Sequence, residues 1–399
     1  MSWDKVKLAD CCLSISDGDH QPPPKAVSGV PFVTIANINK SNQFDFSDTM
    51  FVPKDYYDRL DSKRKAQVGD ILYSVVGSFG IPVLIKEERP FVFQRHIAIL
   101  RPNERINSAF LYYTMLSRDF YAKADAAAIG AAQRTVSLTS LRGMEIELPP
   151  LKVQETIASK LSVYDNLIEN NQKQIKLLEE AARRLYKEWF VNFRFPGYED
   201  TPIVDSVPEG WEKAPIDSRI SLLSGYAFKS AQFDSSGEYK IVTIKNVKDG
   251  EFDGINTNRI VSIPGKMPKH CVLTDGDILL SLTGNVGRTC IVNGNNYLLN
   301  QRVAKLQSDI PAFTYCLFRS SDMFDAMNNL ANGTAQQNLS PIRTGKISIL
   351  FPADNLLEKF ERIVGSMISK MLSLIKQCDL LIQARDRLLP KLMSGEIEV

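Results

Sequence analysis

The chain has 399 residues, which suggests two or three domains at about 150 residues each. Lysine and arginine number 48 against 46 aspartate and glutamate, a formal net charge of +2, and 44% of the residues are hydrophobic. This balance is typical of a folded globular protein and excludes disorder, a collagen-like chain and a strongly charged tail.

Neither a membrane segment nor a secretory signal is predicted. The charge-free stretch 71–85 is interrupted by Gly77, Gly80 and Pro82 and is too short to span a bilayer. The first residues lack an apolar run behind a basic start, so we expect a cytoplasmic protein. The 6 cysteines show no CxxC spacing, so they predict reduced thiols and neither a disulfide framework nor a zinc site.

In chain order, the pattern alternates between globular segments and long helices. Strand-like runs at 32–38, 71–76 and 91–100 and a helical patch at 109–124 predict a mixed α/β fold for the first segment. The predicted segments are a first domain at 1–150, a long helix at 151–194, a linker at 195–210, a second domain at 211–353 and a second long helix at 354–399.

The second half of the chain repeats the first. One unit of about 200 residues occurs twice in the same order, which is far longer than a solenoid repeat, so each copy is predicted to be a domain. The clearest matches are Val33 with Val242, Gly69 with Gly276, Gly77 with Gly284, Gly80 with Gly287, Arg95 with Arg302, Gln133 with Gln336, and Pro149 with Pro352.

Each copy ends in a heptad pattern. Apolar residues step alternately by four and three, which predicts a coiled-coil seam, and two stripes of matched length most simply bury each other. The predicted seam contains Ile157, Leu161, Ile168, Asn171, Ile175, Leu178 and Leu185 in the first helix and Val364, Met371, Leu374, Leu381 and Leu388 in the second.

A head-to-tail repeat with pseudo-twofold symmetry favours an antiparallel pairing of these helices. Ile157 to Trp189 would span roughly 50 Å, or about 14 base pairs of DNA, so the pair could act as a ruler. Asn171 faces the seam where the other copy has Leu374, and a single polar seam residue commonly fixes register. Arg385, which matches Ala182, is expected either to reach solvent or to mark a frayed seam. The aromatic run at 186–195 predicts either docking onto the next domain or a partner surface.

No catalytic motif is convincing. The chain has no phosphate-binding loop and no HExxH, and His20, His96 and His270 are not spaced to share a metal ion. Glu238 and Lys240 have the form of a nuclease ExK but lack a convincing upstream acidic partner. The chain is therefore expected to catalyse nothing itself.

Several polar turns have two possible roles. The repeated glycines at 77, 80, 284 and 287 most simply serve strand turns that need a positive φ. Residues 94–96 and 300–302 could donate to base edges or pin a core turn, and both possibilities stay open. Gln133 and Arg134, with their counterparts at 336–338, lie in polar loops without apolar periodicity, which favours function.

Each copy combines an α/β domain that has Gly-Asp-Ile-Leu before a Gly-x-x-Gly turn, a Gln-Arg after the next strand, and a closing heptad helix. This combination resembles the specificity subunits of Type I restriction-modification systems. The stretches 185–198 and 388–397 are especially characteristic, and the resemblance covers essentially the whole chain. It implies a mixed α/β fold with two pseudo-repeated target-recognition domains separated by two long antiparallel coiled-coil helices.

The resemblance also implies a function. Such subunits read an asymmetric bipartite sequence in double-stranded DNA, with the helices setting a fixed spacer, and are not catalytic. They recruit two modification (methyltransferase) subunits, which hold S-adenosylmethionine, and restriction (translocase and nuclease) subunits, which use ATP and Mg²⁺. No cofactor or metal is therefore expected on this chain, and no membrane partner.

Base-reading residues must vary with the target, so we expect DNA contacts mainly from loops that differ between the copies, with the shared Gln and Arg positions added. The expected DNA-binding residues are Asp19, His20, Gln21, Lys25, Arg95, Gln133 and Arg134 in the first copy and Lys229, Gln232, Lys245, Arg288, Arg302, Gln336 and Arg343 in the second.

Two other classes of function stay open from the sequence. A duplicated protein-binding scaffold with a coiled-coil ruler would fit the low net charge. A self-sufficient DNA-processing enzyme would require a concealed active site, for which Glu238 and Lys240 are the candidates.

Overall fold

The computed structural model describes residues 3–20, 22–39, 41–131, 133–331 and 337–397. The chain divides into two compact units, of which unit 1 comprises residues 1–170 with 378–399 and unit 2 comprises residues 171–377. Each unit therefore contains one globular domain together with segments of both long helices.

Unit 1 contains nine strands and four short helices among the residues that the structure describes. The strands are β1 (Asp4–Lys7), β2 (Cys12–Asp17), β3 (Val30–Val33), β4 (Met50–Val52), β5 (Ile71–Ser74), β6 (Pro82–Leu84), β7 (Val92–Phe93), β8 (Ile97–Pro102) and β9 (Glu145–Leu148). The helices are α1 (Lys54–Arg59), α2 (Ser108–Leu116), α3 (Arg118–Ala127) and α4 (Leu138–Gly143), and the long helix α5 (Leu151–Tyr186) follows.

The central sheet of unit 1 has the strand order β2-β8-β5-β6 and is antiparallel. A second sheet has the order β4-β3-β7, with β3 and β7 parallel, and β1 pairs with β9. Alternate residues of β5 and β8 enter two different cores: Ile71 and Leu100 pack in one, whereas Leu72 and Ile99 pack in the other. Burial on both faces explains why these strands are continuously apolar in sequence.

The predicted elements of unit 1 are interrupted by turns. The strand predicted at 32–38 ends at Val33, because Thr34 N–H donates to the side chain of Asn37 at 2.8 Å and a 3-10 helix follows. The run 91–100 is two strands, since Ile97 N–H donates to Gln94 O at 3.0 Å in a turn between β7 and β8. The helix predicted at 109–124 is two helices, because Ser117 caps the N-terminus of α3.

Unit 2 repeats this architecture. Its strands are β10 (Ile203–Val204), β11 (Val207–Pro208), β12 (Glu212–Pro215), β13 (Ser221–Ser224), β14 (Tyr239–Val242), β15 (Asn258–Ile260), β16 (Val272–Leu273), β17 (Ile278–Ser281), β18 (Thr289–Ile291), β19 (Tyr297–Leu299), β20 (Val303–Gln307) and β21 (Ser348–Phe351). Its helices are α6 (Pro311–Phe318), α7 (Ser321–Leu330) and α8 (Pro341–Gly345), followed by the long helix α9 (Asp354–Met393).

The sheets of unit 2 correspond to those of unit 1. The central sheet has the order β13-β20-β17-β18, the second has the order β15-β14-β19-β16 with β14 and β19 parallel, and β12 pairs with β21. A short β10-β11 pair lies in the connection after α5. The internal repeat predicted from sequence is thus confirmed as a repeated mixed α/β fold.

The long helices pack antiparallel within each unit. In unit 1, Cys378 of α9 lies against Ile168 of α5, with 3.8 Å between the cysteine Sγ and the isoleucine carbonyl oxygen. In unit 2, Tyr186 of α5 contacts Phe360 near the start of α9, with ring centroids 6.3 Å apart. The seam residues Ile157, Leu161, Ile168, Val364, Met371 and Leu374 are buried, and Ile175, Leu178, Leu185, Leu381 and Leu388 are half-buried.

The polar residues of the seam are paired. Asn171 is buried, and its side-chain amide lies 3.4 Å from Gln377 Oε1. Arg385 is only 9% exposed and bonds Asp165, so the expectation that it reaches solvent or marks a frayed seam is wrong. A charged residue can occupy this position because it has a charged partner there.

The aromatic run after α5 docks into the core of unit 2. Trp189, Phe190 and Phe195 are buried, and Phe190 packs on Phe360 with ring centroids 4.8 Å apart. Of the two roles predicted for this run, the structure supports docking onto the second domain.

Candidate nucleic-acid interface

Four loops of unit 1 meet at one end of its central sheet. They are the segment 18–20 after β2, the β5–β6 turn at 75–81, the β7–β8 turn at 94–96 and a loop described at 129–131 and 133–136. They meet because β2, β8 and β5 are neighbours in the sheet, and β2 and β5 end where β8 begins. We call these four segments the loop edge of unit 1.

Backbone hydrogen bonds hold the loop edge together. Val75 N–H donates to His96 O at 2.9 Å, and Val136 N–H donates to Val75 O at 2.9 Å. Gly77 N–H donates to Arg134 O at 2.9 Å, which fastens the β5–β6 turn to the loop carrying Gln133. The sheet order therefore brings together polar residues that are far apart in sequence.

Five of the residues predicted to bind DNA lie at this edge, and their surroundings differ. Arg95 and Gln133 are exposed. His20 is exposed and its Nε2 lies 2.8 Å from Asp17. Arg134 pairs with Asp125 and its guanidinium lies 5.4 Å from the centroid of the Phe79 ring. These contacts fix Arg134 against the domain while its side chain remains 44% exposed.

The surroundings of Asp19 favour an internal role. Its side chain is 10% exposed, accepts a hydrogen bond from Tyr56 Oη and lies 3.5 Å from Arg64 Nη1. Lys25 is exposed in the segment before β3, and Gln21 lies outside the described residues. None of these positions tests contact with DNA, so the seven residues remain predictions.

His96 occupies the β7–β8 turn beside Arg95. Burial lowers the pKa of its imidazole, and the charge of Arg95 lowers it further. A lowered pKa favours the uncharged ring, which can both donate and accept a hydrogen bond.

Unit 2 forms an equivalent loop edge from the segments 225–229, 282–288, 300–302 and 337–340. Leu282 N–H donates to Arg302 O at 3.0 Å, and Leu339 N–H donates to Leu282 O at 2.7 Å. Gly284 N–H donates to Gln337 O at 3.0 Å, the counterpart of the bond from Gly77 to Arg134 in unit 1. The two copies thus use the same backbone scaffold to gather their loops.

The residues predicted in unit 2 are distributed over this edge and beyond it. Arg302 is exposed and Arg288 is half-buried at the base of the β17–β18 turn. Lys245 is exposed and follows Ile244, whose side chain would lie 3.5 Å from a Cβ at Gly284.

The remaining predicted residues of unit 2 lie at or beyond the margin of the edge. Lys229 and Gln232 are exposed, with Lys229 N–H donating to Gln232 Oε1 at 3.2 Å. Arg343 is exposed on α8, which follows the loop 337–340, and Gln336 lies outside the described residues.

The repeated glycines serve the turns, as predicted. Gly80 has φ +95° and Gly287 has φ +79°. A Cβ at Gly80 would lie 2.5 Å from the ring of Tyr121, and one at Gly287 would lie 3.3 Å from the ring of Phe324. These two aromatic residues, 46% and 42% exposed, were missed by the sequence analysis, although they occupy matching places in the repeat.

The two edges present different side chains on this common scaffold. In unit 1, Asp19 binds Tyr56 and Arg64 after β2, whereas in unit 2 the segment after β13 carries Tyr226 and Phe228 with ring centroids 5.2 Å apart. An edge that keeps its backbone and changes its side chains is suited to recognising two different ligand surfaces.

The candidate nuclease residues have structural partners. Glu238 Oε1 accepts from Asn296 at 2.8 Å, and Lys240 Nζ lies 4.8 Å from the centroid of the Tyr297 ring. Within the described residues, no group of three or more histidine, cysteine, aspartate or glutamate side chains could hold a metal ion. A search of the same residues finds no helix of sufficient length and hydropathy to cross a membrane.

The fold and the loop edges define a duplicated α/β recognition protein whose two copies are each associated with paired long helices. The family description "Type I restriction modification DNA specificity domain" matches residues 2–180 and 208–363. The chain therefore belongs to the specificity subunits of Type I restriction-modification systems.

Individual relatives agree with this assignment. The chain is 25% identical to the Type I restriction enzyme MjaIX specificity subunit of Methanocaldococcus jannaschii, covering 83% of this chain and 78% of the relative. It is 21% identical to the HindI specificity subunit of Haemophilus influenzae over 99% of both chains. The crystal structure of the S subunit from M. genitalium has the same fold, with a TM-score of 0.56, 16% identity and coverage of 98% and 96% of the two chains.

Proposed function

We propose that this chain reads an asymmetric, bipartite target in double-stranded DNA, with one half-site recognised by the loop edge of each unit. The observation that supports it is the duplicated edge: the same backbone scaffold carries different exposed side chains in the two copies. Sequence is read by side chains that reach base edges, so different loops imply different half-sites.

The paired helices would set a fixed spacer between the half-sites. Each recognition domain alone would bind weakly, and linking the two raises the effective concentration for the second contact. Spacing then becomes part of the specificity. The continuous helices α5 and α9 and their buried seams support this role.

The chain would act as the non-catalytic member of a cytoplasmic complex with two modification subunits and with restriction subunits. S-adenosylmethionine, ATP and Mg²⁺ would be bound by those partners. With a net charge of only +2, the chain would have weak affinity for random DNA, and the partners would supply many of the phosphate contacts.

The test is a base-resolution methylation map of cells that express this chain with its adjacent modification subunit, compared with cells lacking only this chain. The expected result is N6-methyladenine at one asymmetric, gapped motif that depends on the chain. Identical maps from a complex shown to assemble would contradict the proposal and favour the protein-binding scaffold.

A further inference from the structure

A basic 3-10 turn lies beside the loop edge of unit 1. The turn Ser62–Arg64 is capped by Asp61, which accepts from Lys63 N–H at 2.8 Å, and this bond holds the pKa of the Asp61 carboxyl below its usual value. Ser16 near the end of β2 donates to Lys63 O at 2.9 Å. Arg64 reaches Asp19 at 3.5 Å.

These contacts fix the turn against the end of β2, where the loop edge begins. The backbone of Lys63 is held by Ser16, whereas its side chain is exposed. The Arg64 side chain is 33% exposed and is oriented by the carboxylate of Asp19. Asp19 is therefore a positioning residue for Arg64.

Unit 2 has a corresponding turn at Lys269–Cys271. His270 donates from Nε2 to the carbonyl of Ser224, the last residue of β13, at 2.9 Å. Lys269 is exposed beside it. The two turns occupy the same place in the repeat, with Lys63 at the position of His270 and Lys269 at the position of Ser62, so each turn presents an exposed lysine one position apart from that of the other copy. In both copies the turn is tied to the end of the first strand of the central sheet.

The side chains around these turns differ between the copies, but the basic character of the turns does not. The DNA backbone is the same in every sequence, whereas base edges differ, so a feature that both copies share suits phosphate and a feature that differs suits bases. Both side chains suit phosphate, because lysine carries a compact point charge and the planar fork of arginine matches the geometry of phosphate oxygens.

We propose that Lys63 with Arg64 in the first turn, and Lys269 in the second, are two sequence-independent contacts to DNA phosphates, each placing its loop edge against a half-site. This inference rests on the proposed function and adds to it the residues that hold the domains on the DNA backbone.

The experiment measures DNA binding by the complete complex of this chain with its modification partner. The variants are Lys63→Gln, Lys269→Gln and the double variant. The two probes are a duplex carrying the mapped methylation motif and a duplex with both half-sites scrambled, each titrated between 50 and 200 mM salt. Lys5→Gln and Lys213→Gln are the matched controls, because these exposed lysines occupy corresponding places on β1 and β12, before the central sheets begin.

Each test variant is expected to weaken binding to both duplexes by the same factor, about threefold or more at low salt. It should also reduce the slope of log K against log salt by about 0.9, with an additive effect in the double variant. The methylation motif should not change, and the controls should match the unmodified complex.

Two results would overturn the inference: unchanged affinity and slope, or a loss confined to the motif duplex with a relaxed base preference. If the unmodified complex bound both duplexes equally, the proposed function would fail instead. The salt slopes of the variants would still decide whether the lysines contact phosphate.

Discussion

Asp165 of α5 and Arg385 of α9 form an ion pair inside the helix seam, with Arg385 Nη1 2.6 Å from Asp165 Oδ1. The second oxygen of Asp165 accepts from Tyr113 Oη of α2 at 2.7 Å. Burial opposes the charge of Arg385, but Asp165 and Asp386 outweigh it and raise the pKa of the guanidinium. One carboxylate thus connects both long helices to the recognition domain of unit 1.

Removing this carboxylate should destabilise the protein strongly. Asp165→Ala leaves Arg385, whose side chain is 11% exposed, without its partner on α5, and the expected loss in the free energy of unfolding is about 3 kcal/mol. Urea unfolding of the full chain measures it. Glu180→Ala is the control, since Glu180 pairs with Arg184 at the surface and should contribute less than about 1 kcal/mol.

The second copy of the repeat shows which apolar residues could replace both members of this ion pair. Ile368 and Ala182 stand where the other copy has Asp165 and Arg385. The double variant Asp165→Ile with Arg385→Ala should therefore recover part of the lost stability, because an apolar pair can replace a buried ion pair while Tyr113 Oη keeps Ser162 Oγ, 3.4 Å away, as a hydrogen-bond partner. Losses that simply add in the double variant would show that the two side chains are not coupled.

Replacing Asn171, the buried polar residue of the seam, should raise the free energy of unfolding. Asn171→Leu introduces the residue that the other copy carries as Leu374, and it should raise the free energy of unfolding by about 1 kcal/mol through apolar burial. Gln377, which bonds Asn171, is exposed and can turn to water. Thermal and urea unfolding give the measurement, and a decrease in stability would contradict it.

Exposed side chains that differ between the two loop edges should act on separate half-sites. His20→Ala is expected to relax one half of the methylation motif and Lys229→Ala the other, each by about 1–3 kcal/mol of base discrimination. Methylation maps of the two variants test this. Arg184→Ala on α5 is the control and should leave both half-sites unchanged. A change in both half-sites from either edge variant would contradict the assignment.

Shortening both helices should shorten the spacer. Removing seven residues around Ile175 in α5 and seven around Met371 in α9 keeps the heptad phase and removes about 10 Å, or roughly three base pairs. The methylation map should show the same half-sites with a smaller gap. Persistent methylation at an unchanged gap would rule out the helix pair as the determinant of spacing.

Much of the architecture could be predicted because the chain contains two copies of the same sequence unit. The shared glycines and the shared heptads predict a duplicated α/β domain with paired helices, and both were found. The partner of Arg385 could not be predicted, since Asp165 lies outside the apolar stripe and is identified only when the register of the helices is known.

The candidate interface was harder to predict than the fold. The loop edge forms because β8 lies between β2 and β5, and strand order depends on contacts between distant segments. Sequence reasoning named Arg95, Gln133 and Asp19 as expected DNA contacts, and the structure brings all three to the loop edge, where their contact with DNA stays a prediction. That Tyr56 and Arg64 surround Asp19 could not be predicted, because both lie far from it in sequence. The basic turns at Lys63 and Lys269 were missed, although they match in the repeat.

Unit 1 is assembled from both ends of the chain, and this affects the order in which the two units can fold. Leu389 and Leu392 near the end of α9 are buried in the same core as Leu8 and Phe110. During synthesis, unit 2 therefore has all its residues when the ribosome has passed position 377, whereas unit 1 still lacks part of its core. The recognition domain of unit 1 is translated first, but its core can be completed only after that of unit 2. A nascent chain stopped near residue 380 would therefore lack the Leu389 and Leu392 side chains that pack in the core of unit 1.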